Sequence, residues 1–207
     1  MRQLIIGGDS FTFGSELSNK SWAELLGDSM GYDNVNVAYP GAGNAGIAQR
    51  VIDALPENKC AVAVMWTFTA RFDHYHIDEW KTTTVHDTSK FGETFFNHVG
   101  KSEYYELHNT LTSIILLQNI LEKYNIPYIF TSADVKWDGR FFAKDKYIGR
   151  LFRMIDWNKW YFIDKGFYLW GKENYPVGPL DHPLDQAHID LVKNIKPLAT
   201  KLIGFAN

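Results

Sequence analysis

Residues 4–10 read Leu4-Ile5-Ile6-Gly7-Gly8-Asp9-Ser10. The unbroken apolar run at the start has the form of a short strand buried on both faces. Gly8-Asp9-Ser10 then turns tightly off its end, which puts a serine hydroxyl at the carboxyl edge of a sheet. Far downstream the chain reads Asp181-His182-Pro183-Leu184-Asp185-Gln186-Ala187-His188. Serine is a weak nucleophile at its free pKa and needs an adjacent base. A Ser, an Asp and a His are all present, in that chain order, for a serine-histidine-carboxylate relay.

Working outward from that first run, strand-like and helix-like segments alternate. Residues 2–7, 34–38, 61–66, 127–132 and 161–164 read as strands. Residues 22–30, 45–55, 104–124 and 185–203 have helical spacing, and a further helix is expected within 144–155. Ser18, Asn19 or Ser21 could cap the first helix. The alternation predicts an α/β fold with a parallel sheet covered by helices on both faces. Ligands in such sheets bind at the carboxyl ends of the strands, where Ser10, Gly41 and Thr67 fall. The expected organisation is a single domain over residues 1–207, with a long polar, His-rich insertion at about 67–100. Loops of that length are usually functional or disordered.

The 207 residues carry a net charge of -3, and no basic run accompanies it, so neither nucleic acid nor an anionic membrane is an expected partner. The longest strongly apolar stretch, residues 114–117, is far too short to cross a bilayer. The chain opens on a strand-like run rather than a leader peptide. The expectation is a cytoplasmic protein, or one delivered by a route not written in the sequence. The one cysteine, Cys60, excludes an internal disulfide and reads as a core residue. Aromatic residues make up 15% of the chain, and many fall at about 137–170. They read as a packed subdomain or homo-oligomer interface, or as a platform for a flat ligand such as a sugar ring.

Three blocks carry the chemistry. In the first, Ser10 is the candidate nucleophile. In the second, Pro40-Gly41-Ala42-Gly43-Asn44, two glycines let backbone amides approach a ligand and stabilise an oxyanion. Asn44 could instead cap the helix that follows. In the third, the three-residue offset between Asp185 and His188 favours His188 as the base and Asp185 as its orienting carboxylate. His182 is the rival base. Asp73 with His74, His76 and Asp78, and His182 with Asp185 and His188, offer metal-ligand chemistry. Both groups read as metal-free, and no cofactor is expected: the chain lacks both phosphate-cradling glycine motifs.

Together the three blocks resemble the SGNH, or GDSL-type, hydrolase superfamily over nearly the whole chain. The resemblance implies a flavodoxin-like, three-layer α/β/α sandwich with a five-stranded parallel sheet. It also implies ester hydrolysis through an acyl-enzyme. Carried over by position, Ser10 is nucleophile and first oxyanion donor, Gly41 is the second donor, and Asp185 and His188 complete the triad. The family usually has an Asn soon after strand three. Here the chain reads Met65-Trp66-Thr67-Phe68-Thr69-Ala70-Arg71, leaving Thr67, with Thr69 and Arg71 as alternatives, to supply the third donor. Asp9, Asn44, Arg71 and His182 are the expected substrate-binding residues. The implied substrate is a small acyl ester, acetyl first, on a small molecule or glycan. The alternative is a glycan-binding module without turnover.

Overall fold

The computed structural model describes residues 2–15, 18–100, 102–134 and 145–204. Its first half runs β1 (Gln3–Gly7), α1 (Ser10–Phe13), α2 (Trp22–Met30), β2 (Asp33–Asn36), α3 (Asn44–Asp53) and β3 (Cys60–Trp66). A hairpin of β4 (Arg71–His76) and β5 (Glu79–Thr84) follows, then α4 (Lys90–Phe95) and a π-helical turn (Phe96–Gly100). The chain continues through α5 (Glu103–Lys123), β6 (Tyr128–Ser132), α6 (Ile148–Phe152), a 3-10 turn (Trp157–Lys159), α7 (Gly166–Asn174) and α8 (Asp185–Ile203).

Four strands form one parallel sheet in the order β2-β1-β3-β6. Side chains alternate across a strand, and the core divides accordingly. Ile5, Val62, Val64 and Phe130 face one side, where Ile47 and Val51 of α3 and Leu111 and Ile114 of α5 cover them. Leu4, Ile6, Ala61, Ala63, Met65 and Ile129 face the other, under Trp22 and Leu26 of α2 and Leu191 and Ile195 of α8. β3 is central and every residue in it is buried, which is why it reads as a continuous apolar run. Cys60 lies in this core, where burial pushes its thiol pKa up. No helix among the described residues is long and apolar enough to cross a membrane.

The expected fifth strand is reduced to a single parallel bridge between Trp160 and Phe130. The Tyr161 amide donates to the Phe130 carbonyl, and the Thr131 hydroxyl donates to the Tyr161 carbonyl. Lys165 and Gly166 then take left-handed backbone angles and swing the chain into α7 before a ladder can extend. The sequence pattern missed α7 and the β4–β5 hairpin. Of the aromatic-rich segment at 137–170 and the helix expected within 144–155, residues 137–144 lie outside the described residues.

The last helix has the expected bounds, and its buried stripe runs Ala187, His188, Leu191, Val192, Ile195, Ala199 and Ile203, the spacing of an amphipathic helix. His188 belongs to that stripe. Its Nδ1 accepts the Trp22 amide at 3.2 Å, satisfying one of the donors that a helix start leaves without an internal partner. The N-cap Ser21 satisfies another in a capping box with Glu24. Burial drives the His188 pKa down to about 4. The Asp185 charge and a hydrogen bond to the Pro183 backbone work against the shift, while His182 adds to it.

Two stability predictions follow from this pinning. Between its ordinary value of 6.5 and about 4, the unfolded chain binds a proton on His188 that the folded chain refuses. The contribution is therefore complete above pH 6.5 and is lost as pH falls toward 4, an amount of about 3 kcal/mol. His188→Asn keeps an acceptor but removes the titration. Urea unfolding from pH 4.5 to 7.5 should show a flatter acid limb in the variant, and identical slopes would show that His188 is not the cause. Ser21→Ala should cost about 1 kcal/mol at neutral pH in the same assay.

Candidate active site

Gly8-Asp9-Ser10 leaves the carboxyl end of β1 and enters α1 directly. The Asp9 side chain caps that short helix by accepting the Phe11 amide at 3.0 Å. Ser10 is thereby the first helical residue, its position fixed from both sides. Its Oγ lies 2.7 Å from Nε2 of His182. This departs from the expected pairing with His188, whose ring is committed to Trp22 in the helix–sheet interface. The physical reason is the helix itself. His188 is one turn into α8 and turns inward with the apolar stripe, whereas His182 precedes α8 in an extended segment that passes Ser10.

That segment is braced at several points. Val177 and Pro183 form an antiparallel bridge. The Gly178 amide donates to the His182 carbonyl and the Asp181 amide to the Gly178 carbonyl. Asp181 takes a left-handed backbone angle, φ 62°, and its carboxylate pairs with Lys172 of α7 at 2.5 Å. The Phe11 ring lies 4.9 Å from the His182 ring. Phe68 and Tyr168 contact Phe11 and each other edge-on or tilted, so aromatic faces wall the Ser10–His182 pair.

Asp185 turns toward the segment before α2. Its two carboxylate oxygens accept the backbone amide of Asn19 at 2.7 Å and its side-chain amide at 2.6 Å, tying the first turn of α8 to the segment before α2. It is not the N-cap of α8; that position is Leu184.

Thr67 has spent both of its donors. Its hydroxyl donates to Asp9 at 2.5 Å and its amide to Asn44 Oδ1 at 2.9 Å. The expectation that it faces an oxyanion is corrected by those bonds. Asn44 returns the contact, its side-chain amide donating to the Thr67 carbonyl and to the Thr110 hydroxyl. Thr69, another alternative donor, gives its hydroxyl to Glu106. Arg71 Nη1 donates to Asp9 Oδ2 at 3.0 Å and to the Ala42 carbonyl at 2.8 Å. Asp9, Asn44 and Arg71 thus build the scaffold under the site rather than a surface for substrate.

Gly41 adopts φ 81°, and among the described residues beyond its chain neighbours nothing lies within 4 Å of where a Cβ would stand. The loop that carries it is joined to the Gly8-Asp9-Ser10 turn by the Tyr39 amide, which donates to the Gly8 carbonyl. The cap of α3 comes from β4. Asp73 accepts the Gly43 amide at 2.9 Å and the Gly46 amide at 2.7 Å. His74 follows Asp73 on the strand and so projects to the other side, where its ring stacks with Phe72. That separation keeps the carboxylate and the imidazole from converging on one ion. Sequence reasoning placed Asp73 only among possible metal ligands; the signal for its capping role was the glycine pair at 43 and 46, which leaves room for it.

No protein-family model matches the chain, and no curated protein is significantly similar to it in sequence. Solved structures are similar in fold. TesA aligns over 98% of this chain and 100% of its own, with a TM-score of 0.59 and 17% identity. The psychrotrophic esterase EstA from Pseudoalteromonas sp. covers 97% of this chain and 98% of its own, with a TM-score of 0.56 and 15% identity. The acetyl xylan esterase Est2A from the rumen bacterium Butyrivibrio proteoclasticus covers 97% of this chain, with a TM-score of 0.52 and 14% identity. This chain spans 63% of that esterase's length. A G-D-S-L family protein from Desulfitobacterium hafniense covers 96% of this chain and 99% of its own, with a TM-score of 0.54 and 14% identity. The chain carries the α/β fold of such SGNH, or GDSL-type, hydrolases, with four sheet strands among the described residues in place of the five expected.

Proposed function

We propose that the protein is a serine ester hydrolase with Ser10 as nucleophile and His182 as general base. One observation carries this reading: the 2.7 Å approach of Ser10 Oγ to His182 Nε2, within the reach a base needs, at the strand edge where this fold binds ligands. With its proton on Nδ1, His182 accepts the Ser10 proton through Nε2 as the hydroxyl attacks the ester carbonyl. The tetrahedral oxyanion is taken up by the Ser10 and Gly41 amides. His182 then protonates the leaving alcohol, and water repeats the cycle on the acyl-enzyme.

Thr67 is occupied elsewhere, so this reading works with two backbone donors. A missing oxyanion donor costs about 10²–10³ in rate. Well-activated esters are therefore the substrates of choice.

We infer a small acyl group, acetyl first, because the Phe11, Phe68 and Tyr168 rings close around the catalytic pair. Acetylated carbohydrate is the class to screen first, in keeping with the acetyl xylan esterase among the similar folds.

With p-nitrophenyl acetate, Ser10→Ala and His182→Ala should each lower kcat/KM by about 10²–10⁴-fold, whereas His188→Asn should retain most activity at pH 7. Loss of turnover in His188→Asn with retention in His182→Ala would reverse the assignment of the base. Saturable binding of acetylated glycans without turnover in any form would make the protein a binding module.

A further inference from the structure

Arg71 and Asp73 are two apart on β4 and so share one face of the strand. Both reach the loop that carries Gly41, from opposite chemical directions. Arg71 Nη1 donates to the Ala42 carbonyl, and Asp73 accepts the amides of Gly43 and Gly46. The same Arg71 nitrogen also holds Asp9 Oδ2, whose other oxygen takes the Phe11 amide beside Ser10. A single strand thereby binds the nucleophile turn and the Gly41 loop to each other.

The fit is close. A Cβ on Gly43 would stand 2.6 Å from Asp73 Oδ2, and one on Gly46 3.2 Å from its carboxyl carbon. The carboxylate is buried and is further held by the Thr82 hydroxyl of β5 at 2.5 Å. Across the pair from Arg71, the Asp9 side chain is fully buried. An ion pair this enclosed requires good geometry on both sides, so it fixes distance as well as charge.

We propose that Arg71 and Asp73 are positioning residues that set the spacing between the Ser10 and Gly41 amides. This inference rests on the esterase reading for its consequence, but its geometry stands apart from it. A catalytic group misplaced by about 1 Å can cost about 10²-fold in rate, so loosening either end should appear in kcat more than in KM.

Two measurements on the full chain test this. The first is amide hydrogen exchange on wild type, Arg71→Met and Asp73→Asn, which requires no activity. Arg71→Met should speed exchange in residues 8–13 and 41–44 together. Asp73→Asn, which replaces one acceptor oxygen with a donor facing an amide, should speed exchange in residues 43–46 and leave 8–13 as in wild type. The second is steady-state hydrolysis of p-nitrophenyl acetate. Both variants should lose about 10–10²-fold in kcat with KM within about threefold, and Arg71→Lys, which keeps the charge but not the planar fork, should recover part of the loss.

Unchanged exchange in both segments of Arg71→Met, or a rise confined to its own hairpin, would overturn the proposal. So would a loss expressed only in KM. A wild type without Ser10-dependent turnover would sink the esterase reading alone, and the exchange result would still decide the positioning role.

Discussion

The carboxylate of Asp9 is the constraint on which the rest of the site depends. It is a fully buried charge, one residue before Ser10, and an uncompensated charge there would be prohibitive. The fold compensates it from three separate segments: the Phe11 amide of α1, the Thr67 hydroxyl after β3, and the Arg71 guanidinium of β4. Satisfying one carboxylate therefore brings together the ends of β1 and β3 and the start of the hairpin. It also decides what those donors cannot do. A hydroxyl bound at 2.5 Å to a buried carboxylate is not available to an oxyanion, so Thr67 serves the scaffold.

The two histidines near the carboxyl terminus divide along the same line, one in the core and one against Ser10. Burial pushes the His188 pKa down to about 4, and its Nδ1 is occupied as the acceptor of the Trp22 amide. A group so shifted is a poor proton carrier at neutral pH, because base catalysis favours a pKa near the working pH. His182 sits on a braced but extended segment with its ring against Ser10. The Lys172–Asp181 pair and the Val177–Pro183 bridge bear on the backbone around it, and the ring is the part that the proposed mechanism uses.

Much of this was legible in the sequence because it is governed by local pattern. The apolar runs of β1, β3 and β6, the periodicity of α8 and the Gly-Asp-Ser turn all report burial directly. The pairing of Ser10 with His182 rather than His188 was not legible, because Asp185-x-x-His188 has the spacing of neighbours on one helix face. The two do interact electrostatically, but on a helix that faces the core. His182 owes its place to long-range closure, which no spacing encodes. The hairpin was hidden for a different reason. Its turn uses Ile77 and Asp78, both at positive φ, where the usual signal is Asn-Gly or Asp-Gly. A β-branched residue there gives no warning. The fifth strand failed as a ladder because a pattern of four residues cannot show that the chain will turn away after one bridge.

An isolated two-stranded hairpin is marginal in water, so the rigidity that β4 lends to the site must come from elsewhere. The strand's alternation supplies it. While Arg71 and Asp73 face the catalytic loops, Phe72 points away and stacks on Phe95 of α4 at 4.2 Å, with Tyr105 of α5 alongside. Phe95 in turn stacks with Phe91. These rings, which lie outside the aromatic-rich segment at 137–170, form a packed anchor. It secures the outer face of the strand whose inner face holds the two loops in register. The geometry at Ser10 is thus tied to ring packing on α4 and α5, through the strand that joins the two loops.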